Sequence, residues 1–309
     1  MKNKFEPSYL RLHNTGDLKR RGEKLMKRME RCDLCPRECH VNRFKGEKGF
    51  CNATSEIKIA SYHPHFGEEV PLVGSGGSGT IFFSHCNLGC EFCINYDISI
   101  EGKGKIISVE DLAYIMLQLQ SIGCHNINVV TPTHFSPHII LSLDIAAEKG
   151  LKLPLVYNTS GWEKYDILKI LDGIVDIYLA DFKYLDPEIS SKYSSKAGSY
   201  PEITKNALLE MNSQVGIAKP AQNGIMFKGL MIRHLVMPNG SSDSTKVVKW
   251  IAQHLPKETY LNLMIQYRPY NNARFYPEIA HGITDHEYYK IVKTATDMGL
   301  INLDIQGNY

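Results

Sequence analysis

From residue 80 onward the chain keeps a regular rhythm, in which short apolar or β-branched runs alternate with segments of helical periodicity. The runs are Thr80–Ser84, Asn126–Val130, Leu155–Asn158, Ile174–Ala180, Leu230–Met237, Tyr260–Gln266 and a shorter one at Ile301–Ile305. Helical patterns lie between them, near 108–122, 137–149, 163–171, 201–214, 243–255 and 284–298. Ser108 and Asp111 form a capping-box pattern, and Gly123, Gly150 and Gly299 follow helical runs as stop signals. Alternation of this kind specifies a parallel sheet with right-handed crossovers. Six or so repeats fit a full or partial α/β barrel. The pattern itself does not show closure.

In a parallel sheet the loops that follow the strands gather on one face, where chemistry is expected. Those addresses here are Cys86–Cys93, Thr131–His134, Asn158–Gly161, Asp181–Lys183, Met237–Asn239 and Tyr267–Arg268. Metal-capable and polar residues recur at the same structural position. Before the rhythm begins the chain is different. Residues 8–31 read as one or two short amphipathic helices, and 32–78 as loops organised around a metal. Residues 1–78 are therefore expected as a helical and cysteine-rich segment, and 79–309 as the barrel.

At 309 residues the chain can bury a core without disulfide staples. It holds no uncharged apolar run near the roughly 18 residues of a membrane span. The start, MKNKFEPSYL, lacks the apolar stretch of a secretory signal. The eight cysteines are accordingly expected as reduced thiols in the cytoplasm, available to metals or catalysis. The net charge of +2 is unevenly spread. Residues 1–48 carry 14 Lys/Arg against 7 Asp/Glu, and the remainder 21 against 26. A solvated basic helix explains such a head more simply than a binding patch does, although it leaves a nucleic acid or another macromolecule open as a partner.

Cys86, Cys90 and Cys93, in SHCNLGCEFCIN, put three thiols into eight residues just past the first strand. Three thiolates from one tight loop can hold three irons of a cubic four-iron cluster, with the fourth iron left to a substrate or cofactor. A structural zinc site would want a fourth ligand close by, which this loop does not supply.

With Phe92 before the last cysteine and an α/β barrel following, this Cys-x3-Cys-x2-Cys loop resembles the radical S-adenosylmethionine (radical SAM) superfamily. The stretches CDLCPRECHVNR, HFGEE, GSGTIFFS, HNINVVTPTH, YNTSGW, DGIVDIYLADFKY, RHLVMP and LMIQYRP resemble a subgroup related to pyruvate formate-lyase activating enzymes. They run from Cys32 almost to the C-terminus. The resemblance implies a partial (β/α)6-type TIM barrel, a [4Fe–4S] cluster on Cys86, Cys90 and Cys93, and S-adenosylmethionine chelated to the open iron. It implies reductive cleavage to methionine and a 5′-deoxyadenosyl radical that abstracts hydrogen, with a flavodoxin- or ferredoxin-like electron donor and a protein substrate.

By the same resemblance Phe92 packs near the adenine and the backbone of Asn95 bonds its edge. Thr131 and Thr133, in place of a glycine-rich segment, partner the methionine amine. Asn158 and Ser160 meet the ribose or carboxylate, and Asp181 and Lys183 match an Asp-x-Lys pattern beside the cofactor. Structural readings stand beside these: Asn158 and Ser160 as a turn, and Asp181 with Lys183 as a rim ion pair. His85, Gly89 and Ile94 depart from the subgroup, as do Cys124 and His281. His85 abuts a cysteine of the trio, and Cys124 reads as packing.

Cys32, Cys35, Cys39 and Cys51 form Cys-x2-Cys-x3-Cys-x11-Cys, close to zinc-ligand spacing. Zinc, an auxiliary iron–sulfur cluster and no metal all remain open, with His40 as a substitute ligand. His63, His65, Glu68 and Glu69 read as a surface turn or pocket rim. The glycines Gly74, Gly76, Gly77 and Gly79 lack the Lys-Ser/Thr of a phosphate loop. Arg268 reads either as a carboxylate binder or as a scaffold ion pair. The expected function is that of a radical SAM enzyme acting as a glycyl-radical activase. The alternatives are a radical enzyme acting on RNA, a peptide or a small molecule, and a non-catalytic iron–sulfur electron carrier.

Overall fold

A computed structural model describes residues 5–306; the first four residues of the expected N-terminal segment and the last three of the expected barrel lie outside it. In chain order the elements are helices α1 (Tyr9–Asn14) and α2 (Asp17–Lys27), strand β1 (Ile57–His65), the short helix α3 (Val70–Val73), and β2 (Ser78–Phe83). Next come α4 (Tyr96–Ser99), β3 (Lys105–Ile107), α5 (Val109–Ile122), β4 (Ile127–Val130), α6 (Ser136–Glu148) and β5 (Leu155–Thr159). After them stand α7 (Tyr165–Leu171), β6 (Ile177–Asp181), α8 (Pro187–Tyr193), α9 (Tyr200–Val215) and β7 (Gly229–Leu235). The chain closes with α10 (Ser244–His254), β8 (Tyr260–Met264), α11 (Asp285–Asp297) and β9 (Leu303–Ile305).

All nine strands form one sheet in the order β3-β1-β2-β4-β5-β6-β7-β8-β9. From β2 through β9 every neighbour is parallel, whereas β1 pairs antiparallel with both β2 and β3. The sheet does not close on itself, so the architecture is a partial α/β barrel. The seven expected strands and six expected helices all form, with ends displaced by at most a few residues. Helix α5 opens on the Ser108–Asp111 capping box, with both reciprocal bonds made, and stops at Gly123 in the left-handed region.

One expectation for the N-terminal segment fails. Residues 57–65, read as loop, are β1. Ile57 and Ile59 alternate inward there and are buried, a strand signal obscured by the dense Gly and Pro nearby. Downstream of β1 the chain turns under the barrel. Leu72 of α3 packs with Val156, Ile177, Leu179, Met231 and Tyr260 from the strands, forming an apolar floor. One or two pleats further toward the strand C-termini, the same inward faces carry Asn158, Asp181, Arg233 and Asn262. The interior is therefore apolar at the bottom and polar at the mouth.

Candidate active site

The loop after β2 carries the cysteine trio. Its entry turns sharply, because His85 and Gly89 both adopt positive φ. Cys90 is buried, and its sulfur lies 3.3 Å from the Ser194 hydroxyl, which in turn donates to the Tyr184 hydroxyl. The Cys93 sulfur is 3.2 Å from the Ser99 hydroxyl, and the Leu88 N–H donates to Cys86 at 3.3 Å. Burial pushes the Cys90 thiol up to about 12, while the nearby Lys183 ammonium pulls in the opposite direction. Phe92 is buried against Tyr267 and Tyr184, with centroid separations of 5.9 and 6.4 Å. Asn95 is exposed, and its carbonyl opens α4 by accepting from Ile98 and Ser99.

Across the mouth lies a chain of charges. Lys183 donates to Asp181 at 2.7 Å, and Arg233 donates to the other Asp181 oxygen at 2.9 Å. Arg233 also donates to the Asn158 side-chain amide oxygen at 2.7 Å and, at 3.4 Å, to Glu68. Burial opposes ionisation of Asp181, but Arg233 and Lys183 outweigh it and hold the carboxyl below its usual range. Glu68 behaves in the opposite way: burial raises it to about 7 despite Arg233. Glu68 and Glu69 thus do not form a surface turn. The Glu68 side chain is 8% exposed, and Glu69 is buried and accepts from Asn262. Nor are Asp181 and Lys183 a solvated rim pair, with side chains 14% and 17% exposed.

The remaining residues divide. Asn158 belongs to this network, and the Ser160 hydroxyl is buried without a partner, as is the Asn128 side-chain oxygen. Thr131 stands at φ +58° and its N–H donates to the Asn158 carbonyl. Thr133 points elsewhere, donating to the buried Glu163 at 2.6 Å. Thr159 donates to the same Glu163 oxygen, and burial lifts that carboxyl to about 7. Cys124 is buried beside β4, as packing requires. The guanidinium of Arg268 donates to the Tyr267 carbonyl.

Cys32, Cys35, Cys39 and Cys51 line one cavity with Arg37, Arg43 and His134. Among the described residues no disulfide joins them, and no group of three or more His, Cys, Asp or Glu side chains closes tightly enough to hold a metal ion as it stands.

The model of the radical SAM superfamily matches residues 80–214, the segment from β2 through most of α9. A further relative is the uncharacterized protein MJ0674 of Methanocaldococcus jannaschii. It is 32% identical over 278 residues, spanning 87% of this chain and 75% of that protein. The chain belongs to the radical SAM superfamily. Among solved structures, Streptococcus suis SuiB bound to its precursor peptide SuiA superposes with a TM-score of 0.50 at 14% identity, covering 72% of this chain. The match takes in 47% of SuiB, so this radical SAM protein spans about half of SuiB's length. Methylornithine synthase (PylB) gives 0.49 at 12% identity, covering 98% of this chain and 76% of PylB.

Membership of this superfamily implies a [4Fe–4S] cluster and S-adenosylmethionine, and the residues present fit both. Three soft thiols on one loop match the donor chemistry of an iron–sulfur cluster. Paired Asp181, Lys183 and Arg233, with unpartnered Ser160 and Asn128 oxygens, suit a ligand carrying an ammonium and a carboxylate. No helix among the described residues is long and apolar enough to cross a membrane.

Three participants were not legible as such in the radical SAM protein's sequence. Glu68 reads in sequence as a surface turn or a pocket rim, and nothing local shows that its loop turns under the barrel. Glu163 follows Trp162 in an ordinary turn pattern. Arg37, within the CPRECH stretch, donates to the carbonyls of Asn87 and Leu88 at 2.9 and 3.0 Å and to those of Ser194 and Ser195. Its position in sequence between Cys35 and Cys39 is the available signal, since a cation between two metal-capable thiols has an electrostatic reason to be there.

Proposed function

We propose that this chain is a radical SAM enzyme in which Cys86, Cys90 and Cys93 ligate the [4Fe–4S] cluster. When bound, cluster and S-adenosylmethionine together supply, on one-electron reduction, a 5′-deoxyadenosyl radical that abstracts hydrogen from substrate. Lys183 and Arg233 present cationic donors toward a carboxylate, while Asp181 and the Asn158 and Ser160 oxygens accept from an ammonium or a hydroxyl. Phe92, wedged between Tyr184 and Tyr267, offers an apolar wall for an adenine ring, with the backbone of Asn95 at its edge and Thr131 beside Asn158. The enclosed mouth keeps water from a reactive species. The observation that carries this reading is the cysteine trio on one loop at the C-terminal end of β2, with Cys90 buried and Lys183 close enough to it for their charges to interact.

The electron would come from a flavodoxin- or ferredoxin-like donor in the cytoplasm, where eight free thiols are stable. In this reading residues 79–309 form most of the catalytic barrel, and 1–78 add β1, Leu72 and Glu68 to it and carry a separate metal site on Cys32, Cys35, Cys39 and Cys51. For the substrate, modification of a peptide or small molecule is preferred over glycyl-radical activation. SuiB, which shares the fold, holds a precursor peptide in its crystal structure.

The test is anaerobic reconstitution with S-adenosylmethionine and a strong reductant, followed by assay of 5′-deoxyadenosine and methionine. Both products are expected. Their absence from protein with an intact, reducible cluster would favour an electron carrier instead.

A further inference from the structure

Arg37 and Arg43 line the same cavity as four thiols, and every hydrogen bond the two guanidiniums make goes to a neutral backbone carbonyl. Arg43 is fully buried, with its donors spent on the Thr54 and His134 carbonyls. Buried cations are ordinarily balanced by nearby anions. The groups of opposite polarity that face Arg37 are the thiols of Cys35, Cys39, Cys86 and Cys90. The buried Arg43 and the half-buried Arg37 favour an object of net negative charge in that cavity. A divalent cation bound by four thiolates has that sign, its formation releasing four thiol protons.

A backbone donor points the same way: the Phe50 N–H donates to the Cys39 sulfur at 3.3 Å, a contact that favours thiolate. The cavity of about 10 Å³, walled by Leu34, Val41 and Ala53, has room for about one small sphere. That admits a single ion as the side chains stand.

We propose that Cys32, Cys35, Cys39 and Cys51 bind one zinc ion, and that this site holds Arg37 as a clamp on the loop carrying Cys86 and Cys90. The loop between the second and third of these cysteines presents Arg37, and the residue before the fourth is Phe50, whose ring lies 3.7 Å under the Arg37 guanidinium. Trp162 flanks the same guanidinium at 4.9 Å, and a Cβ on Gly89 would collide with Phe50. The zinc loop therefore grips the Cys86–Cys93 loop from outside and ties it to Ser194 and Ser195 between α8 and α9. Arg37 is a positioning residue in this scheme. The zinc assignment is independent of the proposed function, whereas the purpose of the clamp rests on it.

The experiment begins with metal analysis of the full-length chain, purified from cells supplied with zinc and iron. About one zinc per chain is expected, and a Cys86→Ala/Cys90→Ala/Cys93→Ala variant should lose iron and keep zinc. Zinc well below stoichiometry, iron in its place, or loss of zinc in the triple variant would overturn the site. Because Cys35→Ser risks misfolding, wild-type chain grown with cobalt gives a second readout, the intense visible bands expected of a tetrahedral thiolate ion. Their absence with cobalt bound would also overturn it. Arg37→Gln should retain zinc but show several-fold faster hydrogen exchange confined to residues 84–95. Unchanged exchange there would overturn the clamp, whatever the outcome of the 5′-deoxyadenosine assay.

Discussion

Arg233 and Asp181 form the hinge of the mouth's charge network, since one guanidinium edge bonds Asp181 at 2.9 Å while another reaches Asn158 at 2.7 Å. Asp181 serves two cations, because Lys183 occupies its second oxygen. Asp181→Asn therefore leaves both without their shared anion. Breaking a buried pair from one side costs about 3–5 kcal/mol. Denaturant unfolding should show a loss of that order, together with weakened S-adenosylmethionine binding by calorimetry. Lys183→Met should cost less stability, because Arg233 still satisfies Asp181. Equal losses would show that the network does not act as described.

Gly161 is held at φ +80°, and a Cβ there would sit 2.2 Å from the Asp181 carbonyl oxygen. Backbone cannot yield as a side-chain tip does. Gly161→Ala should cost about 2–3 kcal/mol from strain and overpacking together. It should also weaken S-adenosylmethionine binding by displacing the end of β6. A neutral variant by thermal melt and calorimetry would contradict the close approach.

Glu163 is fully buried, and burial raises its pKa from 4.5 to about 7. Between those values the native chain holds a proton that the unfolded chain has lost, so stability falls as pH rises from about 4.5 and levels off above about 7. The contribution is on the order of 3 kcal/mol. Glu163→Gln should therefore flatten the profile, making the variant relatively more stable at pH 8 than at pH 5. Urea titrations at both values check this, and a parallel offset at the two would contradict it.

Much of this architecture was legible because period and punctuation carried it. The alternation from Thr80 onward, the Ser108 cap and the stop at Gly123 announced strands and helices whose partners lie nearby in sequence. The addresses after the strands followed, and Asn158, Asp181 and Lys183 indeed meet in one network. What stayed hidden depends on long-range burial. Glu68 lies 165 residues from Arg233, and its loop carries no periodicity to show that it turns inward. Thr133 occupied a promising address, but its hydroxyl is directed to Glu163 behind β4, a direction the address alone does not give. Strand β1 was masked by the surrounding Gly and Pro.

The account stands most directly on whether Cys86, Cys90 and Cys93 hold a cluster that S-adenosylmethionine can reach. Electron paramagnetic resonance of the anaerobically reconstituted, reduced chain, with and without S-adenosylmethionine, measures this. The account predicts a [4Fe–4S]+ signal that changes shape when S-adenosylmethionine is added and is lost in Cys90→Ala. A signal indifferent to S-adenosylmethionine, or one that survives in Cys90→Ala, would contradict it.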